Sequence, residues 1–230
     1  MSRTVLITGA AGNLGKEVVS LLHKQGYRII ATIIEPQAPD YFSEMGVESH
    51  TLNLLDEEAV TQWAETLATA HPELDAFIAL AGGYTPGDLA QTSGAAIDKM
   101  INLNFKTVFF LTKALFPHFE RAASGGQFVY IGARPAMQAA DGIHNMAYAL
   151  SKSLIFRLSE QINAMGHGKK ISATTIVPST IDTALNRSSM PDADFSSWVK
   201  AGHLAESIAF VLSDAGRNLR QSVLQMYNEA

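Results

Sequence analysis

Cysteine is absent from all 230 residues. Disulfides, thiolate nucleophiles and cysteine-ligated metal sites are therefore excluded. No apolar run approaches the roughly 18 residues that a membrane span needs. The run Val5-Leu6-Ile7 is broken at Gly9, too early for a secretory leader. A soluble cytoplasmic protein with no membrane partner is expected. There is no lysine- or arginine-rich block, the formal net charge is −5 and 17% of residues are charged. That balance suits neither a nucleic-acid partner nor a basic surface patch, and none is expected. The 7 histidines show no ligand spacing, so no metal is expected.

What remains is a chain of alternating short β-branched runs and longer helical patterns. Strands are expected at about residues 4–8, 27–34, 47–52, 74–81, 126–131, 170–177 and 222–227, with helices at about 13–24, 56–69, 94–121, 145–165 and 202–213. There is no internal repeat. Such alternation predicts one domain over 1–230, with a Rossmann-type, doubly wound parallel α/β sheet of about seven strands and helices on both faces. Runs such as Val5-Leu6-Ile7 and Ala76-Phe77-Ile78-Ala79-Leu80 are apolar on both faces, as a doubly covered sheet requires. Ligands of such sheets lie beyond the carboxyl ends of the strands.

The first strand runs into Thr8-Gly9-Ala10-Ala11-Gly12-Asn13-Leu14-Gly15. Gly9 suits a tight turn, Gly12 lets the backbone approach a pyrophosphate, and Gly15 lets the helix sit against the sheet. The helix N-terminus then presents free N–H groups to phosphate. Gly9, Ala11, Gly12, Asn13, Leu14 and Gly15 are thus expected to bind a dinucleotide. Glu35, after the second strand, is placed to accept from ribose hydroxyls and would repel a 2′-phosphate. No arginine or lysine sits in the glycine turn or just after Glu35. NAD(H) is therefore favoured, with NADP(H) as the alternative. Asn53 and Leu54 are expected beside the adenine, and Ala81, Gly82 and Gly83 against the cofactor.

Tyr148 and Lys152 stand four apart near the start of a helix, hence on one face. An ammonium so close favours the phenolate and is expected to lower the tyrosine pKa from its usual value of about 10. Tyr148 is then a proton donor during hydride transfer, and Lys152 a further contact to ribose.

With the glycine turn, Ala81-Gly82-Gly83, Asn104, Tyr148 and Lys152, the whole chain resembles the short-chain dehydrogenase/reductase superfamily. The resemblance implies that Tyr148 is the proton donor, that Lys152 assists it, and that Asn104 supports a proton-relay water. Pro178, Thr180 and Ile181, after the sixth strand, complete the expected cofactor-binding set. The family usually carries a serine after the fifth strand, whereas this chain reads Tyr130-Ile131-Gly132-Ala133-Arg134 and has no serine or threonine between Ser124 and Ser151. Dihydropteridine reductases look similar, with alanine in place of that serine. The segment from Ile181-Asp182-Thr183-Ala184-Leu185-Asn186-Arg187 to Trp198 is also like theirs. Ile34 stands where they usually carry an acid.

The resemblance implies a small-molecule substrate, a quinonoid dihydropteridine, reduced with NADH. Tyr84, Ala133 and Arg187 are expected at the substrate, and residues at about 179–200 form a lid. The alternatives are a carbonyl reductase lacking the serine, with Asn145, Gln138 or water in its place, and a weakly catalytic NAD-binding sensor. The helix segments Val108-Phe109-Phe110-Leu111, Leu115-Phe116 and Leu154-Ile155-Phe156 are apolar around much of their circumference, which predicts a homodimer. Ser151 and Ser153 have no expected base partner, so serine nucleophilic chemistry is not expected.

Overall fold

A computed structural model describes residues 3–35, 38–220 and 222–229. Its centre is a seven-stranded parallel sheet of strands β1 (Thr4–Thr8), β2 (Arg28–Ile33), β3 (Glu48–Thr51), β4 (Leu74–Ala79), β5 (Gly126–Ile131), β6 (Ile171–Pro178) and β9 (Ser222–Met226). The order across the sheet is β3-β2-β1-β4-β5-β6-β9, and every pair is parallel. The winding reverses between β1 and β4. A crevice therefore opens at their carboxyl ends, where open α/β sheets bind ligands.

The five inner strands are buried on both faces because helices cover both. Helices α3 (Glu57–Ala70), α5 (Thr107–Arg121) and α8 (Met146–Met165) pack one face, around Leu6, Phe77, Phe128 and Tyr130. Helices α1 (Asn13–Lys24) and α10 (Ala201–Leu212) pack the other, around Val5, Ile7, Val129 and Ile176. Phe128 lies at the centre of the first face, its ring 5.1 Å from that of Phe119 and 6.3 Å from that of Phe77. The Phe119 ring occupies the space that a side chain at Gly126 would need.

Three features depart from the sequence reading. The helix expected over 94–121 is interrupted: α4 (Gly94–Ile101) passes through a π turn, Asn102–Lys106, into α5. A π turn inserts one residue per turn and re-aims the side chains that follow. A short helix, α2 (Asp40–Glu44), fills the connection after β2, its Phe42 buried under the sheet. Two more, α6 (Arg134–Met137) and α7 (Ala139–Gly142), lie between β5 and α8. None has the length over which apolar periodicity becomes readable.

The expected lid is more regular than its composition suggests. Strand β7 (Ile181–Asp182) pairs with β8 (Val199–Lys200), closing the base of an excursion that contains α9 (Ala184–Ser189). The Thr183 hydroxyl caps α9 by accepting from the Asn186 N–H. No helix among the described residues is long and apolar enough to cross a membrane.

Phe128 carries the densest aromatic packing, so Phe128→Ala should cost about 3–5 kcal/mol of stability. Urea unfolding checks this, and a loss under about 1 kcal/mol would mean that the face repacks around the gap.

Candidate active site

The glycine turn sits at the mouth of the crevice. Gly9 has φ of +67°, a conformation open to glycine, and a Cβ there would lie 2.7 Å from the Ala81 nitrogen. A Cβ at Gly15 would collide with the carbonyl of Gly9 and stand 2.6 Å from that of Ala10. The helix can therefore approach the turn only without a side chain there. Gly12 caps α1, and neither a side-chain cap nor an acidic residue occupies its first turn. By contrast, Asp56 caps α3 and Ser93 caps α4 through their side chains. The uncapped end of α1, with Ala11, Gly12 and Asn13 exposed, leaves N–H groups and the positive dipole end facing outward. That cradle fits a dinucleotide phosphate. Tyr41 of α2, which the sequence reading missed, donates its hydroxyl to the Ala10 carbonyl at 3.2 Å and so braces the turn from outside.

The second strand ends at Ile33. Ile34 is 83% exposed, Glu35 is exposed, and the Glu35 carbonyl accepts from the Thr51 hydroxyl at 3.4 Å. Asn53 is exposed but uses its side-chain oxygen locally, accepting from the Leu55 N–H at 3.1 Å. Leu54 is buried in the core cluster that holds Leu52 and Val60. On the far side, Pro178 is buried in β6, Thr180 accepts from the Val199 N–H, and Ile181 opens β7.

The fourth strand delivers Ala81, Gly82 and Gly83 to the same opening. The Asn104 side chain, wholly buried in the π turn, binds this segment twice: its oxygen accepts from the Gly83 N–H at 2.9 Å, and its amide donates to the Gly83 carbonyl at 3.0 Å. The same amide donates to the Ser151 hydroxyl at 3.0 Å, and that hydroxyl donates to the Tyr148 carbonyl at 2.7 Å. The Asn104 side chain thus ties the segment after β4 to α8. Sequence reading set Ser151 aside for want of a base. Its structural role depends on Asn104, far away in the chain, and local pattern carries no sign of it.

Tyr148 and Lys152 do lie on one face of α8, but their charges behave differently from expectation. Lys152 is 7% exposed, and its ammonium donates to the Ile131 carbonyl at 2.8 Å. Burial brings its pKa down to about 8. Burial also pushes the Tyr148 phenol up to about 12, and neighbouring Tyr84 adds to the rise. Desolvation is the leading cause at both groups, and the expected lowering of the phenol by the ammonium is not found.

Tyr84 is 60% exposed, and its ring meets that of Tyr148 edge-on, with centroids 5.1 Å apart and planes at 67°. The loop bearing Tyr84 is held there by Gly87, whose carbonyl accepts from the Met146 N–H at 2.9 Å and whose N–H donates to the His144 carbonyl at 2.8 Å. Gly87 has φ of +138°, which favours glycine.

Ala133 is 3% exposed at the end of β5 and offers no hydroxyl. The preceding Gly132 is hemmed in, since a Cβ there would stand 2.9 Å from the Phe156 ring and 3.0 Å from a Thr175 methyl. Arg187, expected at substrate, grips Asp182 with two bonds of 2.6 and 2.8 Å, and its guanidinium lies 4.8 Å from the centre of the Phe195 ring. These residues, with Trp198, His203, Met226 and Asn228, line a cleft of about 670 Å³ under the excursion, which includes neither Tyr148 nor Lys152.

The profile of the family described as short chain dehydrogenase matches residues 3–194. A dihydropteridine reductase of Dictyostelium discoideum is 26% identical over 213 residues, covering 90% of this chain and 87% of its own. A 3-oxoacyl-[acyl-carrier-protein] reductase of Thermotoga maritima is 24% identical over 189 residues, covering 80% and 76%. Among solved structures, NADP-bound ElxO superposes with a TM-score of 0.89 at 21% identity, over 98% of this chain and 97% of that one.

The buried ammonium makes a signature in stability. Its folded-state pKa lies below the value of 10.5 for an ordinary lysine. Between pH 8 and 10 the unfolded chain binds the extra proton, so this group makes stability rise with pH, by up to about 1.4 kcal/mol per unit. Relative to Lys152→Met, the wild type should gain stability over that interval in thermal or urea unfolding. Parallel curves would show that Lys152 is not desolvated.

Proposed function

Because this chain belongs to the short-chain dehydrogenase family, we propose that it reduces a flat conjugated heterocycle of the quinonoid dihydropteridine type. The observation that carries this reading is the pairing of Tyr148 and Lys152 with a strand end that holds only Ala133. An isolated ketone concentrates negative charge on one oxygen, and a missing hydroxyl donor costs roughly 10²-fold or more in rate. A conjugated C=N system spreads that charge and needs the second donor less. The dihydropteridine reductase among the relatives supports the same substrate class.

A reduced nicotinamide dinucleotide supplies a hydride when bound. The chain's own residues do the rest. Gly9, Ala11, Gly12, Asn13, Leu14 and Gly15 cradle the phosphates. Ala81, Gly82 and Gly83 run beside the crevice, with Gly82 packed on the Asn104 side chain, where a Cβ would lie 2.7 Å from the amide oxygen. Lys152 reaches the ribose, and Pro178, Thr180 and Ile181 border the far wall. Tyr148 keeps its proton at neutral pH and so stands as the donor, although burial makes it a weaker acid than an ordinary phenol. Tyr84 offers a ring face beside it.

The exposed carboxylate of Glu35 favours NAD(H), whereas the NADP-bound structural relative argues for NADP(H) as an alternative. Of the apolar helix faces, Val108, Leu111, Leu115, Phe116 and Ile155 are absorbed by the core, whereas Phe109, Leu150 and Leu154 stay partly exposed on α5 and α8. A homodimer through these helices fits, and light scattering that gives a monomer mass would remove it.

The test is oxidation of NADH, with NADPH in parallel, by quinonoid dihydrobiopterin generated in the assay. Turnover with the pterin and not with simple ketones is expected. Tyr148→Phe should lower kcat by about 10²-fold or more and leave dinucleotide binding intact. Wild-type turnover in that variant would remove Tyr148 as donor, and turnover of ketones alone would make the chain a carbonyl reductase.

A further inference from the structure

The site described above has one proton donor at its centre and no serine, yet a second phenol stands beside the first. Tyr84 and Tyr148 meet edge to face at 5.1 Å. No described group is hydrogen-bonded to the Tyr84 hydroxyl, and the residue is 60% exposed, so that hydroxyl is free for a ligand. The other candidates are less available. Asn145 donates its amide to the Asp141 carbonyl at 3.3 Å, its oxygen is buried without a partner, and an oxygen only accepts. Gln138 is exposed, between the two short helices α6 and α7. Ala133 has nothing to donate.

We propose that the Tyr84 hydroxyl is the second hydrogen-bond donor to substrate, standing on the β4 side of the crevice where the missing serine would have stood on the β5 side. The inference rests on the reductase reading given above and assigns a further catalytic group within it. The loop geometry favours it: the Gly87 hydrogen bonds to Met146 and His144 fix the Tyr84 loop to the same helix start that carries Tyr148. The two phenols are therefore positioned by one element and stay together. The charge coupling between them agrees, since Tyr84 contributes to the upward shift at Tyr148.

The chemistry balances with Tyr84 unchanged. The reduced nicotinamide, when bound, would supply a hydride, hydrogen with its electron pair, to the substrate and would itself be oxidised. The Tyr148 O–H bond breaks to protonate the ring nitrogen, and solvent returns that proton. Tyr84 keeps its own proton and donates only a hydrogen bond to the lactam oxygen or ring nitrogen that gains electron density. Such a donor belongs to ligands with a second acceptor near the reduced bond, as fused lactam heterocycles have and simple ketones lack.

Tyr84→Phe keeps the ring and removes only the hydroxyl, at an exposed position where folding is not at stake. With NADH and quinonoid dihydrobiopterin as probe, kcat should fall about 10-fold, less than the roughly 10²-fold that loss of one donor costs at an isolated carbonyl, because the conjugated ring spreads the charge. Tyr148→Phe serves as the reference. A Tyr84→Phe protein with kcat within about twofold of wild type, or with the loss confined to KM, overturns the assignment while leaving the Tyr148 reading intact. Wild-type protein that turns over no pterin fails the reading itself, and with it this proposal.

Discussion

The arrangement of the site depends on one side chain. Asn104 makes hydrogen bonds with both backbone groups of Gly83 and with Ser151, which passes the connection to the Tyr148 carbonyl. Through these bonds a glycine strand end is fixed to the helix that carries Tyr148 and Lys152. A buried amide with no partner would cost the desolvation of its polar atoms, and Asn104, wholly buried, holds its geometry because every alternative leaves such atoms unpaired. The π turn carries this side chain, its one extra residue shifting the register of the helix by a single position.

The same burial that fixes geometry also sets the charges. Tyr148 is held protonated and Lys152 is held close to losing its proton. Adjacency along a helix suggested that the ammonium would draw a proton from the phenol. Enclosure proves the larger influence, because removing water from both groups disfavours charge on each. A phenol that retains its proton near neutrality suits reduction, where a proton must be given to the product. The uncapped start of α1 shows the converse arrangement, a helix end left open for an anion to complete it.

Much of this was readable beforehand. The parallel sheet, the ends of α1, β5 and α3 to within a residue, and the wide spacing of glycines around Gly9 and Gly15 follow from β-branched runs and turn chemistry, signals that are local. What escaped was non-local or short. Asn104 and Ser151 meet only after folding, the Gly87 turn that carries Tyr84 beside Tyr148 depends on a bridge to Asn145 across the chain, and α2, α6 and α7 span four or five residues each. The two-bond pairing of Arg187 with Asp182, five residues away across the start of α9, likewise has no sign in the local pattern.

The central claim is that the Asn104 side chain holds the two halves of the site together. Hydrogen exchange in Asn104→Leu, followed peptide by peptide, tests it without any assumption about substrate. The prediction is lost protection over residues 81–84 and the start of α8, with the β1 and β6 peptides unchanged. Protection at Gly83 equal to wild type would contradict the account, since the strand end would then be held by something other than this amide.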